Sequence, residues 1–415
     1  MSVKCGMRNS GSGIAVRGGA GARSAAGATW RVKFGDVVRE VKDKIDRADN
    51  PYEFYIAGDH MDTEDLKIRR RGRFATDDVG PAFTRVFKPG QILYGSRRTY
   101  LKKVCVADFE GITANTTFVL ETKDENVLLQ RLLPFLMLGD RFTAWSIKHS
   151  KGSTNPYVLF GDLADYEFDL PPMDEQKKLA ELLWAANDLK ESYKKAITAT
   201  DEMLKAKFRE MFGDAGDDGS RRGAEAQSGG LLDIGALRNG LNFSPNESGY
   251  NIKCVGVADF GDNIMLDDFV SVTTLSVNKL PPSEQILQDN DFLFVRSNGN
   301  KALVGRCMLV MPGNERVTYG GFCIRYRLND NRVLPRWLLY FLRSEETKAM
   351  LHGRGGDCSI NNLSQQVLAK IQIPLPPLSL QREFVAIADK AESAKANLKK
   401  SIASIDQVMK GLING

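Results

Sequence analysis

Leu170-Pro171-Pro172-Met173-Asp174-Glu175-Gln176 and Leu375-Pro376-Pro377-Leu378-Ser379-Leu380-Gln381 decide the fold of this 415-residue chain. Asp174 and Ser379 are N-cap residue types just after a proline pair, which marks a helix start. Beyond Asp174 there is neither Pro nor Gly until Gly213. Leu179, Leu182, Ala186, Leu189, Tyr193, Ile197, Thr200, Leu204, Phe208 and Met211 recur three or four apart, as on one face of a helix. The second start leads into Phe384, Ile387, Ala391, Ala394, Leu398, Ile402, Ile405, Val408 and Leu412 at the same spacing. Gln176 matches Gln381, and Leu179 matches Phe384. The joints and helices therefore repeat within the chain.

Working outward, the domains read as follows. Residues 1–28 are a Gly/Ala/Ser/Arg-rich leader without periodicity, expected to be disordered. Residues 30–172 form a first mixed domain, and 173–212 a first long helix. Residues 213–230 are a polar, Gly-rich flexible linker. Residues 231–377 form a second mixed domain, and 379–413 a second long helix. Short β-like runs sit between turn signals in both domains. Ile92-Leu93-Tyr94 pairs loosely with Phe292-Leu293-Phe294, and Thr117-Phe118 with Gly321-Phe322.

Two amphipathic helices of similar length are expected to pack on each other. Leu179, Leu182, Leu189, Leu204, Phe208, Phe384, Leu398, Ile402 and Ile405 are the candidate packing residues. The second helix starts alanine-rich (Ala386, Ala388, Ala391, Ala394, Ala396), and the first ends bulky (Met203, Leu204, Phe208, Met211, Phe212). Large meets small only if they run antiparallel. The competing arrangement has each helix packed on its own domain or on another chain. The expected fold class is α+β: two mixed α/β domains joined by two long antiparallel helices as a coiled-coil spacer, in a pseudo-two-fold internal repeat.

The chain is 42% hydrophobic and 26% charged, as a globular protein is. No apolar run reaches the roughly 20 residues that span a bilayer, and no apolar signal segment opens the chain. The six cysteines are scattered without C-x-x-C spacing, against a zinc site or a disulfide scaffold. A cytoplasmic protein with free thiols is expected. The net charge of +5 permits nucleic-acid binding without demanding it.

Motifs for catalysis fail together. Asp49-Asn50-Pro51-Tyr52 and Asn155-Pro156-Tyr157 lack the second proline of a methyltransferase motif and read as turns. No P-loop exists, and His60, His149 and His352 are isolated. The expectation is a non-enzyme with no catalytic residue, no metal site and no cofactor of its own.

Several segments resemble the specificity subunit of type I restriction-modification systems. In the first domain they are Gly35-Asp36-Val37-Val38, Tyr55 to Asp62, Leu66-Lys67-Ile68-Arg69-Arg70 and Phe87 to Leu101. In the second they are Asp291 to Asn300 and Val304-Gly305-Arg306, with a Leu-Pro-Pro exit closing each domain. The leader before Trp30 departs from the family pattern, as does Asp169 at the first exit. The resemblance implies two target-recognition domains, each reading half of a split, asymmetric site in double-stranded DNA. It implies two modification (methyltransferase) subunits and restriction (motor-nuclease) subunits as partners, which would carry S-adenosylmethionine, ATP and Mg. A helix of about 38 residues would be about 57 Å long, longer than a DNA turn of about 34–36 Å. That leaves an unread gap between the half-sites.

The basic run Lys67, Arg69, Arg70, Arg71 and Arg73 is the first candidate for phosphate contacts, followed by Arg97, Arg98, Lys102 and Lys103. Arg296, Asn298, Asn300, Lys301 and Arg306 are their counterparts in the second domain, since Arg suits guanine and Asn suits adenine. For each one, a solvated residue or ion-pair partner is the competing reading, and Ser297 to Asn300 reads equally as a hairpin turn. Two other functions stay open: a degenerate or fused DNA adenine methyltransferase component, and a protein-protein adaptor built on the helix pair.

Overall fold

The computed structural model describes residues 29–46, 49–213, 228–244, 248–261, 264–352 and 362–415. The leader (1–28) and most of the linker (214–227) lie outside the described residues. The long helices span Met173–Phe212 and Leu378–Asn414. Both begin one residue before the expected N-caps. The Pro172 and Pro377 carbonyls already accept the Gln176 and Gln381 amides, so Asp174 and Ser379 sit inside the first turn. Among the described residues, no helix is long and apolar enough to cross a membrane.

The chain divides into two compact units, and the division runs through both helices. One unit holds Met1–Tyr193 with Lys400–Gly415, the other Lys194–Lys399. Each unit thus takes the start of one helix and the end of the other, which is what antiparallel pairing requires. In the first unit Ala180 and Leu183 share a core with Met409. In the second, Leu204 and Phe208 share a core with Phe384, Ala388 and Ala391, and the Phe208 and Phe384 rings lie 5.1 Å apart. The bulky end of one helix does meet the alanine-rich start of the other. Ala386, Ala394 and Ala396 face outward.

The two units share one sheet plan. In the first, Val38–Val41, Thr117–Thr122, Ile92–Gly95 and Val104–Val106 lie side by side in that order, all antiparallel. In the second, the order is Gly235–Asn239, Cys323–Leu328, Asp291–Val295 and Cys307–Val310, with Met265–Leu266 added in parallel at the far edge. The middle strands Ile92–Gly95 and Asp291–Val295 are buried along their whole length. Alternate side chains explain why. Ile92 and Tyr94, like Phe292 and Phe294, face a core built with the helices. Leu93, like Leu293 and Val295, faces a second sheet.

Ile92-Leu93-Tyr94 and Phe292-Leu293-Phe294 thus occupy equivalent strands. The pairing of Thr117-Phe118 with Gly321-Phe322 needs correction. Thr117 pairs with Gly95 and Cys323 with Val295, so Cys323-Ile324 is the true counterpart. The preceding turns differ in length, which shifts a match made by residue type.

A short ribbon closes each domain: Trp30–Lys33 with Glu167–Leu170, and Ser228–Gly230 with Gln372–Pro374. The last three residues of the expected linker are therefore a strand.

The phase of the first helix also needs correction. Leu182 and Leu189 are 51% and 44% exposed, so they do not pack between the helices. The buried row instead runs through Gln176, Ala180, Leu183 and Asn187 before reaching Leu204 and Phe208. A count of apolar residues steps over the polar members of that row onto its neighbour. Leu179, Leu398, Ile402 and Ile405 are half-buried.

Candidate nucleic-acid interface

Each domain is fixed to its helix by one glutamine. The buried Gln176 amide donates to the Val127 and Pro171 carbonyls, both at 2.9 Å, and accepts from the Leu129 amide. Gln381 donates to Arg332 and Pro376 and accepts from Leu334, each at 2.8 Å. All four residues of one clamp map onto the other by a single offset of 205 residues (Gln176 to Gln381). The same offset carries Lys190 onto Lys395 and Asp201 onto Asp406. The Lys190 ammonium meets Asp406 at 2.8 Å within the first unit, and Lys395 meets Asp201 within the second. Lys395 also reaches Glu392 at 3.0 Å. Burial works to lower the Lys395 pKa, but its bonds to Asp201 and Glu392 outweigh it, so the net shift is upward.

Most of the basic run is occupied by neighbours. Arg69 donates to Asp65 at 2.6 Å and to the buried Glu191 of the first long helix at 2.7 Å. It thereby braces the domain on that helix. Arg70 pairs with Asp62, and Arg73 with Glu53 at 3.0 Å. The Arg71 guanidinium lies 3.9 Å from the Phe54 ring centre, a cation–π contact. Lys67 is exposed. Lys102 pairs with Asp140 at 2.9 Å and Glu64 at 3.2 Å. Burial opposes its charge, and the two carboxylates more than restore it.

Lys103 and Arg306 prove to be one device. Lys103 donates to the Gly58 carbonyl, and Arg306 to the Gly261 carbonyl at 2.7 Å. Each holds a turn from the equivalent strand start. Asn298 accepts the Asn300 amide and Asn300 the Ala302 amide, so both side chains shape a turn. Lys301 opens the short helical turn Lys301–Leu303.

Arg97 and Arg98 are different. Both are exposed, and among the described residues neither side chain has a hydrogen bond or ion pair. Their backbone is well held: Arg97 bridges to Tyr157, and the Arg98 amide donates to Pro156 at 2.6 Å. Arg296 occupies the place of Ser96, since Ser96 accepts the Val158 amide and Arg296 the Leu363 amide, and Ser297, which bridges to Asn362, occupies that of Arg97. Exposed aromatic residues beside these loops were not among the candidates: Tyr100, Tyr157 and Phe322. Periodicity carries no signal for a lone ring in a turn. The two Asn-Pro segments are turns here. Asn50 accepts the Tyr52 amide at 3.0 Å, and Asn155 lies in an exposed loop closed by the Lys151–Tyr157 bridge.

Comparison with known proteins agrees with this duplicated plan. The family model described as "Type I restriction modification DNA specificity domain" matches residues 42–199 and 230–407. The specificity subunit of the type I restriction enzyme EcoKI from Escherichia coli K12 is 23% identical over 91% of this chain and 85% of its own length. That of StySPI from Salmonella potsdam is 26% identical over 57% of this chain and 54% of its own length, so the match spans about half of that relative. A solved chain from a study of assembly and conformational transition in a type I restriction-modification system shares the fold. Its TM-score is 0.56, at 18% identity, covering 93% of this chain and 96% of that one. The type I restriction-modification S subunit from M. genitalium gives a TM-score of 0.50 at 14% identity, covering 93% of this chain and 95% of that one. This chain belongs to the type I restriction-modification DNA specificity family.

Proposed function

We propose that the chain is the sequence-specific DNA-binding subunit of a type I restriction-modification complex in the cytoplasm. It reads a split, asymmetric site in double-stranded DNA and contributes no catalytic group. The observation that carries this reading is the contrast within the repeat. Clamps and ion pairs recur at one offset, whereas the exposed loops differ in composition. One scaffold carrying two different surfaces suits a site of two unlike halves.

Helix length supports a gap between those halves. The first helix has 40 residues, hence about 60 Å at 1.5 Å per residue. A DNA turn is about 34–36 Å.

Two modification subunits would dock on the helices. In the first unit Leu182 and Leu189 stand exposed one heptad apart, a patch that suits a docked partner. The 205-residue offset leads to Ile387 and Ala394 in the second, where Ala394 is exposed and Ile387 is half-buried against the core. Those subunits would bring S-adenosylmethionine and methylate adenine. Restriction subunits would bring ATP-driven, Mg-dependent cleavage.

The test is methylation sequencing of the source organism with and without this gene. Loss of one split adenine motif is expected, and an unchanged methylome would contradict the reading. DNA binding by the complex should also weaken steeply with salt.

A further inference from the structure

The basic run around Lys67 is the densest positive segment, yet its four arginines are engaged by neighbours within the first unit. Asp65 and Glu191 hold Arg69, Asp62 holds Arg70, the Phe54 ring holds Arg71, and Glu53 holds Arg73. The 96–101 loop is the opposite case. Its backbone is fixed and its charges are unspent. The Ser96 amide and hydroxyl both donate to the Thr116 carbonyl, at 3.0 and 2.8 Å. Arg98 is held at φ 49°, a left-handed conformation uncommon outside glycine. Tyr100 and Tyr157 flank the arginines, 53% and 41% exposed. Donors on a rigid backbone lose little freedom on binding, which is what selective contact with base edges needs.

We infer that the 96–101 loop with Tyr157 is the base-reading edge of the first domain. Arg97 and Arg98 are its specificity-determining donors, and Tyr100 and Tyr157 supply its ring contacts. The assignment rests on the DNA-reading function proposed above. The second domain supports it by position. Arg296 donates its amide to the Phe322 carbonyl at 2.8 Å, Ser297 bridges to Asn362, and Phe322 is 64% exposed. By these contacts Arg296 stands at the place of Ser96 and Ser297 at that of Arg97, so the two domains present different side chains on equivalent loops. Two half-sites that differ require this. Guanidinium forks pair best with guanine O6 and N7 in the major groove, so the half-site read by the first domain contains a guanine.

The experiment uses the full chain assembled with its modification subunits and duplexes randomised across the first half-site. Methylation of each sequence is read out. Arg97→Ala and Arg98→Ala should each relax discrimination at defined positions by about 5- to 100-fold, with the second half-site unchanged. Arg98→Lys keeps the charge and loses the fork, so it should retain binding and lose discrimination. It also serves if an alanine variant fails to fold. Arg70→Ala should leave every base preference intact. Folded Arg97 and Arg98 variants with wild-type preferences would overturn the assignment alone, as would altered preferences in Arg70→Ala. A wild-type complex without any site preference would overturn the DNA-reading function, and the assignment with it.

Discussion

The two units use the same parts to hold themselves together and different parts where they meet solvent. Gln176 and Gln381 make the same three hydrogen bonds to the same relative positions. Lys190 with Asp406 and Lys395 with Asp201 repeat one ion pair. Lys103 and Arg306 hold equivalent turn carbonyls. Yet the first unit braces its domain through Arg69 on Glu191, and the second through Arg336 on Asp389 at 2.6 Å and Tyr340 on Glu392 at 3.0 Å. The difference teaches where the repeat is constrained. A group that satisfies buried backbone has few substitutes. A pair that braces a domain on its helix can be replaced by another at the same seam.

The glutamine clamps should break the symmetry most. Gln176→Ala or Gln381→Ala leaves buried backbone groups without partners, at about 1–3 kcal/mol each. A loss of about 3–5 kcal/mol is expected for either variant by urea unfolding. Very unequal losses would show that the clamps are not equivalent.

The buried lysines come next. Lys395→Ala should cost about 1–3 kcal/mol, and Lys190→Ala less, because Lys395 has the additional partner Glu392. The Lys395 pKa is raised on folding. Its contribution is therefore complete below the unfolded lysine pKa of about 10.4 and fades as pH rises through the folded value. The stability difference between wild type and Lys395→Ala should be flat from neutral pH to about 10 and shrink above it.

Leu182→Asp and Leu189→Asp should shift stability by less than about 0.5 kcal/mol, since both side chains are exposed. They should abolish assembly with the modification subunits in sedimentation or size-exclusion measurements. Normal assembly would remove this face from the interface.

The smallest effect on DNA binding concerns Arg69. Arg69→Ala should lower stability by about 1–3 kcal/mol, because it takes a hydrogen bond from the buried Glu191, and leave the slope of DNA binding against salt unchanged. A slope reduced by about one would mark it as a phosphate contact after all.

Much of this was legible in the sequence, for a physical reason. Pro-Pro joints, matched glutamines and heptad spacing are local signals that directly fix helix starts and faces. Apolar spacing misphases the first helix at Leu182 and Leu189 because its buried row includes Gln176, Asn187 and Glu191. Gln176 is held by Val127 and Glu191 by Arg69, partners far along the chain, and an apolar count cannot see them. The density of basic residues along the sequence says nothing about Asp62, Glu53 or Glu191 nearby in space. Arg97 and Arg98 stand out only when their lack of partners is set against a fixed backbone.

The central claim is one scaffold with two independent readers. The most direct test replaces residues 30–172 with the first domain of another specificity subunit and determines the methylated motif of the assembled complex. The account predicts that the first half of the motif changes while the second half and the gap stay the same. A change in both halves, or an unchanged motif from a folded, active complex, would contradict it.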